Sequence, residues 1–165
     1  NVQLRHLEEY RQSGQLDVIQ EKYSMLDRRV EEELLPYCEA NTVTLQTYSP
    51  IEQGLLTGTV PNGYVPRPGE ARENKLWWRP QTIAIANEMM DGWRDLADQY
   101  HCSIANLVIA WSMKRSPQFN ILCGARKLHQ IAENVKSAGV ELTNEDFARM
   151  EADADQAILR AKALG

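Results

Sequence analysis

No pair of cysteines or histidines in this chain stands at metal-ligand spacing: CxxC and HxxxH are both missing, and His6, His101 and His129 are scattered. The three cysteines, Cys38, Cys102 and Cys123, are odd in number and far apart. Neither a structural metal nor a disulfide framework is expected, and a reducing, cytoplasmic setting fits best. No apolar run approaches the roughly 20 residues that span a bilayer, so no membrane partner is expected. A signal peptide is not visible either. Basic surplus is lacking too. A formal net charge of -5 argues against general nucleic-acid binding, which needs a basic surface for the phosphates. Internal repeats and low-complexity tracts are absent. So is an initiating Met: the chain opens at Asn1 and goes directly into helical sequence, so the native start is expected upstream.

What is present is 165 residues, 43% of them hydrophobic, enough for one domain with a sizeable core. Asn1 is a candidate N-cap for a helix with Leu4, Leu7 and Tyr10 on its apolar side, stopped at Gly14. A strand is expected over 16–20. A helix follows over 27–38, with carboxylates in its early turns, a Val30, Leu34 and Cys38 stripe, and a bend at Pro36. The β-branched run 43–48 predicts a second strand. From Thr59 to Arg79 the chain holds three of its seven prolines and no helical period. A connection that long suggests a functional loop at a site, where Trp77 and Trp78 either cover a pocket or pack on the domain.

Further on, Ile85, Met89, Trp93, Leu96 and Ala97 recur on one helical face. Ser103 then caps another helix carrying Ile104, Leu107, Val108 and Trp111, all read as core. Residues 119–123 predict a third strand that runs through Gly124 into an amphipathic helix with Leu128, Ile131 and Val135. A strand feeding a helix N-terminus through small residues offers free N–H groups to an anion, and Arg126 and Lys127 stand in that turn. An ordinary loop with two solvated cations has the same local sequence. Thr143, with Asp146 three residues on, caps a terminal helix whose Ala-rich tail from Asp153 is expected to fray. Strands alternating with helices imply a parallel sheet, with Val18, Leu45 and Ile121 each inside a buried strand. Three parallel strands alone leave edges unpaired, so a larger α/β fold is expected.

Four motifs, taken in order, carry more: Ile19-Gln20-Glu21-Lys22-Tyr23-Ser24, then Glu32-Glu33-Leu34-Leu35-Pro36-Tyr37-Cys38. The third, Thr47-Tyr48-Ser49-Pro50-Ile51-Glu52-Gln53-Gly54-Leu55-Leu56-Thr57-Gly58, is the strongest. The last is Gly124-Ala125-Arg126 with Gln130, Glu133 and Asn134. Together they resemble the C-terminal half of an aldo-keto reductase, over nearly the whole chain. The resemblance implies a single partial domain over 1–165: strands 6–8, with their helices, of a (β/α)8 TIM barrel. The 59–79 loop would lie at its active-site face.

The resemblance also implies an NADP-dependent oxidoreductase that reduces aldehyde or ketone carbonyls by hydride transfer. Gln20 would hold the nicotinamide carboxamide and Tyr48 would stack on the ring. Ser49, Pro50, Ile51, Gly54 and Leu55 would pass close to the pyrophosphate, Gly124, Ala125 and Arg126 would meet the adenosine 2′-phosphate, and Gln130, Glu133 and Asn134 the adenosine. Gln20 also reads as a plain strand-end polar residue, and Glu133 with Asn134 as a solvated helix face. The family's proton-relay tetrad of Asp, Tyr, Lys and His belongs to the other half of the barrel. No catalytic residue is therefore assigned here, and this segment alone is expected to be inactive. The implied partners are a small carbonyl substrate and the missing N-terminal half. Two other classes share the fold: a nicotinamide-nucleotide-sensing subunit of an ion channel, and an inactive half-barrel assembly fragment.

Overall fold

The structure, a computed structural model, describes residues 1–164. Its centre is a parallel sheet ordered β1 (Val18–Lys22), β2 (Thr44–Tyr48), β3 (Phe119–Leu122). The register sets Val18 against Thr44 and Lys22 against Tyr48, then Leu45 against Phe119 and Tyr48 against Leu122. Helix α1 (Leu4–Arg11) precedes the sheet, and α2 (Leu34–Asn41) joins β1 to β2. The second crossover carries α3 (Pro80–Asp91), α4 (Arg94–Gln99) and α5 (Ile104–Arg115). Helices α6 (Leu128–Lys136) and α7 (Asn144–Lys162) follow β3.

Strand alternation divides the sheet into two unlike faces. Ile19, Leu45 and Thr47 turn to the helices and are buried, together with Trp93, Leu107 and Trp111. Tyr23, Trp111 and Phe147 stack in sequence, with ring centroids 6.3 and 5.3 Å apart. The opposite face presents Gln20, Gln46 and Asn120, joined by amide hydrogen bonds of 2.8 and 3.3 Å across all three strands. There the sequence expectation needs correcting. Leu45 is fully buried, but Val18 is 51% exposed because alternation sets it on the open face with Gln20, and Ile121, on the covered face of an edge strand, is only half-buried.

Several local expectations also shift. Gln3, not Asn1, precedes the first helix, where its N–H donates to His6 Nδ1 at 3.1 Å; Tyr10 is exposed. β1 lies two residues later than expected, which brings Lys22 into the sheet. The helix expected from Asp27 begins at Leu34, after a single 3-10 turn at Arg29–Glu31. Asp27 instead takes Lys22 and Arg29 as partners, and Pro36 falls in the first helical turn, where proline is tolerated. Ser103 and Thr143 cap as expected, each accepting an N–H from the residue three ahead. The terminal helix does not fray at Asp153: it runs to Lys162, with Ala154, Ala157 and Ala161 buried and helix α3 packed against it. Among the described residues, no helix is long and apolar enough to cross a membrane.

Candidate functional site

A cleft of about 970 Å³ lies beyond the C-terminal ends of β2 and β3. That is where ligands meet parallel sheets, and the size suits a small ligand or cofactor. Its walls come from three stretches: Tyr48 to Ile51 with Gln53, Gly54 and Thr57, Leu122 to Arg126 with Gln130, and Glu70 to Arg72 from the long connection. Nine sequence-expected residues thus converge on one place: Tyr48, Ser49, Pro50, Ile51, Gly54, Gly124, Ala125, Arg126 and Gln130.

The loop after β2 is bent backwards on itself. Ser49, Glu52 and Gln53 sit at φ 61°, 45° and 57°, and Gly54 at 100°. Only glycine adopts the last value without strain, and nothing lies within 4 Å of where its Cβ would be. Leu55 and Leu56 then anchor the loop, fully buried in the core. Leu55 therefore contributes backbone near the cleft but no side chain to its lining.

The loop after β3 departs from expectation in one respect. Its N–H groups are not free for an anion, because Gln130 Oε1 accepts from the N–H of Arg126 at 2.8 Å and of Lys127 at 3.0 Å. Asn134 Nδ2 donates to the Gly124 carbonyl at 3.4 Å. Gln130 and Asn134 thus hold the turn in shape. Glu133 is 2.8 Å from Lys136 Nζ and faces Ser103 and Asn106 at the start of α5, outside the cleft lining. Gln20 also lies outside it, in the amide row of the open face.

Charge in the cleft is unevenly committed. Arg72 is spoken for: its guanidinium reaches Glu70 at 2.7 Å and lies 4.4 Å over the Trp78 ring. The hydrogen bond from Arg72 holds the Glu70 carboxyl below its ordinary value. Among the described residues, no hydrogen bond or ion pair engages the Arg126 guanidinium, which is exposed in the lining. Burial holds the Cys123 thiol above its ordinary value, so it stays protonated at neutral pH and offers no thiolate nucleophile. Trp77 and Trp78 are buried core residues and do not cover the cleft. The connection reaches it through Glu70, Ala71 and Arg72 instead.

Sequence reasoning missed those three residues and a polar cluster beneath the first loop. Lys22 Nζ stands 2.8 Å from Glu52 and 3.1 Å from Asp27, while Ser24 Oγ donates to Glu52 at 2.7 Å. Burial alone would lower the Lys22 pKa; Glu52, then Asp27, outweigh it and hold the ammonium above the ordinary lysine value. The available signal was strand alternation: Lys22 follows Gln20 by two and so shares its face.

Parallel strands joined by helices, with the loops at their C-terminal ends closing on one cleft, define an α/β construction. The chain belongs to the aldo/keto reductase family, which it matches over residues 1–154. It is 45% identical over 150 residues to the NADH-specific methylglyoxal reductase of Escherichia coli, covering 91% of this chain and 45% of that protein. A probable voltage-gated potassium channel subunit beta of Oryza sativa is 32% identical over 140 residues, covering 82% of this chain and 43% of that protein. The solved glycerol dehydrogenase of Gluconobacter oxydans superposes with a TM-score of 0.85 at 23% identity, covering 98% of this chain and 48% of that one. The chain thus spans about half the length of the relatives it matches.

Proposed function

We propose that this chain is the cofactor-binding C-terminal half of a (β/α)8 barrel, strands 6–8, in an NADPH-dependent reductase of small aldehydes or ketones. The observation that carries the reading is the uncommitted Arg126 guanidinium, set in the same cleft as the Tyr48 ring. A planar fork with free donors suits a phosphate monoester, and an aromatic face suits a flat heterocycle. When bound, the cofactor supplies the hydride. The chain's own groups bind and orient: Tyr48 as platform, the Ser49–Gly54 backbone along the pyrophosphate, Gly124 to Arg126 at the adenosine end. Gln130 and Asn134 hold that last turn. Gln20 would turn toward the carboxamide from the face it shares with Tyr48. The proton for the carbonyl oxygen is not supplied by any residue placed here, consistent with a proton relay in the other half.

The test is direct binding of NADPH and NADH to the complete protein and its Arg126→Ala variant. A charge-assisted bond contributes roughly 1.5–3 kcal/mol, so the NADPH preference should fall by about tenfold to a hundredfold. NADH affinity should hardly move, and the effect should shrink as salt rises. Equal loss of both would make Arg126 a loop-positioning residue, with Lys127→Ala as the control. An NADH preference in the unsubstituted protein, as the name of the Escherichia coli relative records for that enzyme, would remove the NADPH assignment and leave the nicotinamide one. The likeness to the potassium channel subunit favours a second reading, a nicotinamide-sensing subunit. Cofactor binding without turnover of any aldehyde would support it.

A further inference from the structure

Glu52 is a charged residue where charge is costly. It is 3% exposed, at a left-handed φ, in the middle of the loop that leaves β2. Buried carboxylates persist when paired and hydrogen-bonded, and this one is: by Lys22 at 2.8 Å and by the Ser24 hydroxyl at 2.7 Å. Both partners come from the neighbouring strand and the turn after it. That turn is itself fixed, since Ser24 and Asp27 exchange backbone hydrogen bonds of 3.2 and 3.0 Å. Asp27 holds the other side of the Lys22 ammonium at 3.1 Å. The loop's three non-glycine residues at positive φ, Ser49, Glu52 and Gln53, are strained by their own Cβ atoms. Leu55 and Leu56 anchor only the far end of the loop. At its middle, the buried tie that opposes the strain is the Glu52 carboxylate.

We propose that Glu52, gripped by Lys22 and Ser24, is a positioning residue: it locks the Ser49–Gly54 loop into the left-handed shape in which its backbone lines the cleft. This rests on the reading of the cleft as a nicotinamide dinucleotide site, and it adds a residue that touches no ligand. With Lys22 removed, the Glu52 carboxylate is buried without its counter-charge and the loop lifts toward water. With Glu52 neutralised, Lys22 turns to Asp27 and the loop loses its tie. Either change acts on the stretch facing the pyrophosphate, which NADPH and NADH share. The two cofactors should therefore suffer alike.

The experiment compares Glu52→Gln, Lys22→Met and Lys22→Arg in the complete protein, reading the Kd of NADPH and of NADH by tryptophan fluorescence. For Glu52→Gln and Lys22→Met the expected result is a rise of roughly tenfold for both cofactors, about 1.4 kcal/mol, with their ratio unchanged. The double variant should be no worse than the weaker single one, because both remove the same tie. Lys22→Arg keeps a cationic donor and should recover most of the affinity. Tyr48→Ala runs alongside. If Tyr48→Ala weakens binding while Glu52→Gln and Lys22→Met do not, the positioning role is overturned and the cofactor site stands. If none of the three weakens it, the cofactor reading falls and the proposal with it. Affinity lost only in step with a lowered melting temperature, and not recovered by Lys22→Arg, makes Glu52 a general structural residue and also overturns the proposal.

Discussion

On one face of the sheet, Ile19, Leu45 and Thr47 lie beneath helices that bring Trp93, Leu107 and Trp111 into a continuous core. On the other, Val18 and Leu122 are exposed beside a row of side-chain amides, and the helix next to that edge repeats the pattern. α6 has an apolar stripe with no buried residue: Leu128 is 83% exposed, Ile131 53% and Val135 67%. The same chain therefore covers one face and leaves the other with apolar groups in water. Apolar groups gathered on one side mark a contact surface more often than chance. The half-barrel reading accounts for the asymmetry, since sheet curvature would turn the open face inward and an added strand would pair beside β3. The cleft lies at the C-terminal ends of β2 and β3, where Tyr48 and Leu122 of the open face line it.

The sharpest way to break the comparison is to damage the finished face. Trp111 is fully buried between Tyr23 and Phe147, with the Arg28 guanidinium 5.9 Å from its ring centroid. Trp111→Ala should cost about 3–5 kcal/mol in denaturant unfolding of the complete protein, as large aromatic truncations in cores do. A cost under about 1 kcal/mol would mean that this face is not where stability resides.

The sequence disclosed the covered region better than the open one, for a physical reason. Helical and strand periodicity report which side chains share a face, and the core is where sharing a face means burial. Leu107, Val108 and Trp111 were legible as core on that basis, and they are buried. Leu128, Ile131 and Val135 show the same periodicity, yet periodicity cannot say whether a neighbour exists to cover them. The long connection showed its length and prolines, but not that Arg72 rather than the tryptophans would reach the cleft. Glu52 was legible only as part of a motif. Its pairing with Lys22 spans 30 positions of sequence and needed the β1–β2 register to appear.

A second substitution sharpens the comparison from the open side. Leu128→Ser in the complete protein should lower stability by about 1.5–3 kcal/mol, the value of burying a leucine side chain, if the rest of a barrel covers α6. A change within about 0.5 kcal/mol would be that of a solvated surface site, and the open face would then be a true surface.

The smallest effect belongs to the boundary between the regions. Tyr48 ends β2 on the open-face side, lines the cleft with its ring and donates its hydroxyl to Asn1 Oδ1 at 3.0 Å. It is only half-buried, so Tyr48→Ala should leave unfolding nearly unchanged while weakening NADPH and NADH alike. Ring stacking contributes on the order of 1 kcal/mol, hence roughly a fivefold rise in both dissociation constants. Tyr48→Phe separates the two parts of the side chain. It keeps the aromatic face and removes the hydroxyl, so affinity should be retained if the ring is the platform. Loss in Tyr48→Phe as large as in Tyr48→Ala would place the effect in the hydrogen bond to the chain's first residue, making Tyr48 a tie between α1's approach and β2. Unchanged affinity in Tyr48→Ala would take the ring out of the cofactor site and leave Arg126 as its main support.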